Sequence, residues 1–137
     1  MRASDPKLAL LSDVRLFAHL TRRQLREVAS LLDVVEVETG RVLTREGERG
    51  LEFFVLLEGT ASVRRNEREL ATLVAGDVFG EMALVDEVRR SATVVAATPL
   101  RLLVGERRAF ATLLEADDDV RDAILQAAAI RERSNAA

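Results

Sequence analysis

Apolar positions along the chain fall into three zones of different period. In the first, residues 8–33, Leu8, Leu11, Leu16, Leu20, Leu25, Val28, Leu31 and Leu32 recur mostly at three- and four-residue steps. That spacing lines one face of a helix. Thr21 followed by Gln24 has the form of a capping box, in which hydroxyl and amide side chains satisfy each other's backbone N–H groups. It predicts a second helix starting there, after a shorter first one, with the Leu16-Phe17 pair in the joint.

Residues 34–104 change character. Val34 to Glu38 is rich in β-branched residues and ends at Thr39-Gly40, and Arg41 to Arg45 is a second short strand. Glu46-Gly47-Glu48-Arg49-Gly50 reads as a turn, and Leu51 to Leu57 as a near-continuous apolar run of a buried strand. Glu58-Gly59, Asn66-Glu67-Arg68 and Gly76-Asp77 then punctuate strands at Thr60 to Arg65, at Glu69 to Ala75 and up to Phe79. Ser91 to Ala97 and Leu100 to Val104, separated by Pro99, complete the set. Short strands at this spacing predict a sandwich or barrel.

Residues 105–133 return to a helical pattern, with Glu106 to Leu114 as one candidate. A last helix opens on Asp117-Asp118-Asp119 and carries Arg131 and Arg133 near its other end, a charge order that suits the helix dipole. Val120, Ile124, Ala127 or Ala128 and Ile130 give it an apolar face. No repeat, linker or low-complexity stretch interrupts residues 1–137, which predicts a single, mainly β domain with flanking helices.

Composition removes several chemistries. There is no cysteine, so disulfides, thiolate catalysis and Cys-ligated zinc are excluded, and the single His19 leaves no imidazole cluster for a metal or a triad. No apolar run reaches the length of a membrane span, and Met1 to Leu11 lacks the form of a signal peptide, so a cytoplasmic protein without membrane insertion is expected. A net charge of −3 argues against a dedicated nucleic-acid binder. Phe53, Phe54 and Phe79 read as core, and Arg64-Arg65 and Arg107-Arg108 as solvated edges.

One segment departs from the barrel pattern. Gly80 to Val85 puts good helix formers directly after a glycine, and the free N–H groups of a helical turn there would favour an anion. Counting back along the next strand, Arg90 shares a face with Ala92, Val94 and Ala96, which are small and apolar. That face points inward, where an arginine is costly unless partnered. The partner is either Glu81, in a plain internal ion pair, or an anionic ligand. For a nucleotide, a glutamate can accept from ribose hydroxyls while an arginine forks onto phosphate.

The run Phe79-Gly80-Glu81-Met82-Ala83-Leu84, then Arg90-Ser91-Ala92-Thr93-Val94, closely resembles the phosphate-binding cassette of cyclic nucleotide-binding domains. Glu46 to Gly50, Phe54 to Gly59 and Leu16-Phe17 with Thr21 to Leu25 are similar to that family as well, and the resemblance spans roughly residues 10–132. It implies an eight-stranded jelly-roll (double-stranded β-helix) barrel, with N-terminal helices, a cassette over 79–94 and a C-terminal lid helix. It further implies that Glu81 holds the ribose 2′-hydroxyl and that Arg90 pairs with the cyclic phosphate. Backbone at Phe79, Gly80, Met82, Ala83, Ser91 and Ala92 would cradle the ligand, with Ile124, Leu125 and Ala128 in the lid.

Ser91 follows the arginine, as in bacterial catabolite activators, so the implied ligand is cAMP, with cGMP as the second choice. The implied protein is a non-catalytic sensor with no metal or cofactor and an unknown protein effector. Alternatives are an interaction module whose pocket is vacant, or the regulatory domain of a larger channel or transcription factor. The chain itself is expected to lack both a DNA-reading helix-turn-helix and membrane helices.

Overall fold

Two helices form where the apolar repeat places them: α1 over Pro6–Ser12 and α2 over Arg22–Leu31. The capping box is complete. The Gln24 N–H donates to the Thr21 hydroxyl at 3.1 Å, and the Thr21 N–H donates to Gln24 Oε1 at 2.7 Å. At the other end of α2, Lys7 Nζ from α1 donates to the carbonyls of Ala29 and Leu32, both at 2.9 Å. A cation suits the carbonyl end of a helix. The computed structural model describes residues 6–12, 14, 17–18, 20–80, 89–116, 118–119, 121–122 and 125.

The strands are β1 (Asp33–Val37), β2 (Val42–Thr44), β3 (Glu52–Glu58), β4 (Ala61–Arg65), β5 (Arg68–Leu73), β6 (Val78–Phe79), β7 (Thr93–Ala96) and β8 (Leu100–Glu106), followed by helix α3 (Arg107–Ala116). Their limits lie close to those of the apolar pattern. The clearest shift is at β7, which starts at Thr93 because Ser91 and Ala92 bend away from the ladder. All pairings are antiparallel and make two four-stranded sheets, ordered β1-β8-β3-β6 and β2-β7-β4-β5.

Strand β3 is buried on both faces and divides the core in two. Phe54 and Leu56 join Ala61, Val63, Leu73, Phe79, Val94, Ala96, Leu100 and Leu102, drawn from both sheets, as the barrel interior. Phe53 and Val55 face the other way and pack with Leu103 against Leu8, Leu11, Val14, Phe17, Val28 and Leu32 from the helical end. Gly105 of β8 makes room there: a Cβ on it would lie 2.4 Å from the Phe53 ring and 2.6 Å from Leu32. The edge strand β1 is less covered than its β-branched sequence suggests, with Val34 and Val35 both exposed.

Candidate functional site

The chain leading into β7 follows the alternation read from the sequence. Val94 and Ala96 are buried in the barrel interior, Ala92 packs against it, and Arg90 is 9% exposed, while Ser91 faces solvent. Strand β7 lies between β4 and β2, and its register with β2 shifts between Val42 and Thr44. The Thr44 hydroxyl fills the irregularity by donating to the Ala92 carbonyl at 3.0 Å and accepting from the Val94 N–H at 3.2 Å.

Beyond Thr44 the 46–50 turn becomes the partner of the 89–93 arm. The Glu46 N–H donates to Thr93 Oγ1 at 3.0 Å. Gly47 N–H donates to the Arg90 carbonyl at 2.9 Å, and Arg90 N–H donates to the Glu48 carbonyl at 2.7 Å. Arg89 pairs with Arg49 as an antiparallel bridge, and its Nη1 donates to the Gly47 carbonyl at 3.1 Å.

Arg90 finds partners the sequence did not point to. Its Nη1 donates to the Gly80 carbonyl and its Nη2 to the Glu52 carbonyl, both at 2.6 Å. The arm leading to β7 belongs to one sheet, whereas Glu52 in β3 and Gly80 after β6 belong to the other, so this side chain ties the two sheets together at one end. Carbonyl oxygens accept from two of the guanidinium's nitrogens and fix where the cation stands.

Gly80 is where the guanidinium passes. Its φ is +86°, and a Cβ there would lie 2.8 Å from Arg90 Nη1 and 3.0 Å from the Glu52 carbonyl oxygen. Just before it, Phe79 pairs with Phe54 across the β3–β6 ladder, and the two buried rings stack with centroids 4.8 Å apart. The Phe79 side chain therefore belongs to the core, and what it offers a ligand at this point is backbone.

Glu81, Met82 and Ala83, with the helical turn read over 80–85, lie outside the described residues apart from Gly80. Among the lid candidates, Leu125 is 40% exposed, and Ile124 and Ala128 lie outside the described residues. Of the acidic run, Asp118 and Asp119 are exposed, with Asp118 paired to Arg121 Nη1 at 3.2 Å.

The site thus joins a buried cation, a glycine and small residues. Among the described residues, the N–H groups of Ser91 and Ala92 have no protein acceptor. Such a corner can receive an anion. Among the described residues no group of His, Asp or Glu is placed to hold a metal ion.

Two side chains beside the site escaped the sequence reading. Thr44 was passed over as part of a short strand. Arg65, taken with Arg64 as a solvated edge, is instead half-buried, with its Nε donating to the Ser91 carbonyl at 2.9 Å. Arg107 is likewise half-buried, with Nη2 at 3.5 Å from the Gly50 carbonyl. Both corrections have one cause: these side chains reach backbone that is near only after the sheets have paired.

The family model for the cyclic nucleotide-binding domain matches residues 34–117. The cAMP-dependent protein kinase regulatory subunit of Mycosarcoma maydis is 38% identical over 113 residues, covering 76% of this chain and 22% of that protein. Its counterpart in Schizosaccharomyces pombe is 36% identical over 107 residues, covering 77% of this chain and 26% of that protein. The chain therefore spans about a quarter of the length of these relatives. The solved structure of cAMP-bound PfPKA-R superposes with a TM-score of 0.79 at 26% identity, covering 93% of this chain and 44% of that one.

Proposed function

The chain belongs to the cyclic nucleotide-binding domain family, and we propose that it binds a cyclic nucleotide, cAMP ahead of cGMP, as a non-catalytic regulatory domain. The observation that carries this reading is Arg90: a buried cation on the inward face of the barrel, beside the N–H groups of Ser91 and Ala92, which have no acceptor among the described residues. Arg90 would pair with the cyclic phosphate and those two amides would share its oxygens, while Gly80 keeps the approach open. Glu81 would hold the ribose 2′-hydroxyl, with backbone at Phe79, Met82 and Ala83 completing the cradle.

The carbonyls of Gly80 and Glu52 fix the guanidinium plane before any ligand arrives, so little side-chain entropy is left to lose on binding. In the fold that accompanies this function, the two sheets close as a jelly-roll barrel and a helix beyond α3 covers the base with Ile124, Leu125 and Ala128. That helix is the output, because its contacts with the base exist in one state only, and a ligand shifts an equilibrium by its differential affinity for the two states. The relatives are named as regulatory subunits of a protein kinase, which supports a protein effector. No helix among the described residues is long and apolar enough to cross a membrane.

A second reading draws on the same side chain. Arg90 already satisfies two donors internally, so the pocket could stand closed on itself in a protein-interaction module. Isothermal titration with cAMP and cGMP separates the two. The binding reading expects saturable heat with cAMP, and a loss of about 2–5 kcal/mol in Arg90→Ala, as for removing one side of a buried charge contact. Melting curves check that the variant folds, and Arg90→Lys keeps the charge where it does not. Absence of heat with either nucleotide, together with no thermal stabilisation where about 2.7 kcal/mol is expected at a hundred times Kd, would favour the interaction module.

A further inference from the structure

Strand β4 carries Ala61 and Val63 on its inner face, opposite Ala96 and Val94 of β7. Alternation makes Arg65 the next residue in that inner row, and where the ladder ends at Arg64↔Thr93 its Nε bond to the Ser91 carbonyl keeps it beside the 91–92 bend. Arg64 points the other way, where its Nε donates to Ser62 Oγ at 3.1 Å. The strand is held rigidly at this point: Arg65 pairs with Arg68 across a two-residue turn in which Asn66 and Glu67 have φ of 53° and 66°. Both central residues at positive φ match the twist of the flanking strands.

Arg65 is therefore a second arginine on the inner face, at the same rim as Arg90 and on the other side of Ala92. Its Nε is committed to the Ser91 carbonyl at 2.9 Å, which anchors the guanidinium to the arm that carries Arg90. Among the described residues its Nη atoms have no protein hydrogen-bond partner, so the remaining donors of the fork are open. Arg90 reaches toward Gly80 and the opposite sheet, whereas Arg65 stays on β4. In a cyclic nucleotide, phosphate and base leave the ribose at opposite ends. With the phosphate at Arg90 and Gly80, a base directed toward β4 would come to Arg65.

We infer that Arg65 is a specificity-determining residue that meets the edge of the purine with its Nη atoms, an assignment that rests on the cyclic nucleotide reading above. Guanine offers two adjacent acceptors, O6 and N7, to such a fork, whereas adenine offers N7 beside an amino donor. Arg65 thus raises affinity for cGMP relative to cAMP and narrows the preference between them.

The test is calorimetric titration of the wild type, Arg65→Lys and Arg65→Met with both nucleotides, with melting curves to confirm folding. Both variants are expected to lose about tenfold in affinity for cGMP and less than about threefold for cAMP, the discrimination a lost bidentate base contact carries. Arg65→Lys, which keeps the charge but not the planar fork, restores any loss common to the two nucleotides and leaves the changed ratio. It also decides the matter if Arg65→Met fails to fold. An unmoved cGMP-to-cAMP ratio, whether both affinities fall together or neither changes, overturns the assignment of Arg65 alone. A wild type silent toward both nucleotides overturns the binding reading and this one with it.

Discussion

The two apolar clusters that share strand β3 end differently. The one beneath the helices is built, among the described residues, from aliphatic and aromatic groups, from Leu11 and Phe17 through Val28 and Leu32 to Phe53 and Leu103. The barrel interior starts in the same way, with Leu56, Leu102 and the stacked Phe54 and Phe79, but its rim carries Arg90 and Arg65. An apolar cluster of this kind is held by burial. An interior with a polar rim depends also on hydrogen bonds that fix where its cations stand. On the binding reading proposed above, stability and recognition draw on opposite faces of one strand, so they should respond separately to substitution.

Phe53→Ala strikes the cluster beneath the helices and should give the largest effect, a loss of about 3–5 kcal/mol in unfolding free energy by urea titration. Nucleotide affinity of the folded fraction should stay near wild type. A parallel fall in affinity would break the separation of the two faces.

Gly80→Ala strikes the rim. The positive φ and the 2.8 Å approach to Arg90 Nη1 should cost about 1–3 kcal/mol in calorimetric melting, and nucleotide binding should weaken as well because the guanidinium is displaced. Wild-type affinity in this variant would place the ligand away from Gly80.

Thr44→Val removes a hydroxyl but little volume and leaves the Ala92 carbonyl and the Val94 N–H without a side-chain partner. A loss of about 1–2 kcal/mol is expected, with faster amide hydrogen exchange at Val94 than at Leu102. Uniform exchange through both sheets would argue against a local role for Thr44.

The smallest effect falls farthest from the rim. Thr21→Ala opens the capping box and should cost about 1 kcal/mol, seen as a lowered melting temperature with unchanged titration heats. Weakened binding in this variant would tie α2 to the pocket.

What the sequence could show follows from the range of each interaction. The capping box at Thr21 and Gln24 closes over three residues, and the inward face of Arg90 follows from alternation with Ala92, Val94 and Ala96, so both were legible. The Thr44 hydroxyl bonds residues 48 and 50 positions away, and Arg65 reaches Ser91 across 26, so neither contact can be read locally. Arg65 did carry one signal: Ala61 and Val63 precede it at two-residue steps, which places it on the apolar face and Arg64 on the polar one. Charge made the two arginines look alike. The pairing of β4 with β7 bears out the alternation that separates them, and only the fold reveals that Arg90 spans both sheets.

Lys7 has a practical consequence. It is the sole lysine of the chain, and its ammonium is bound to the carbonyl end of α2. An amine-selective label therefore meets a single ε-amino target, and protonated, hydrogen-bonded nitrogen is a poor nucleophile. The rate at which Lys7 is labelled becomes a built-in clock for the undocking of α1, readable by mass spectrometry without adding a probe.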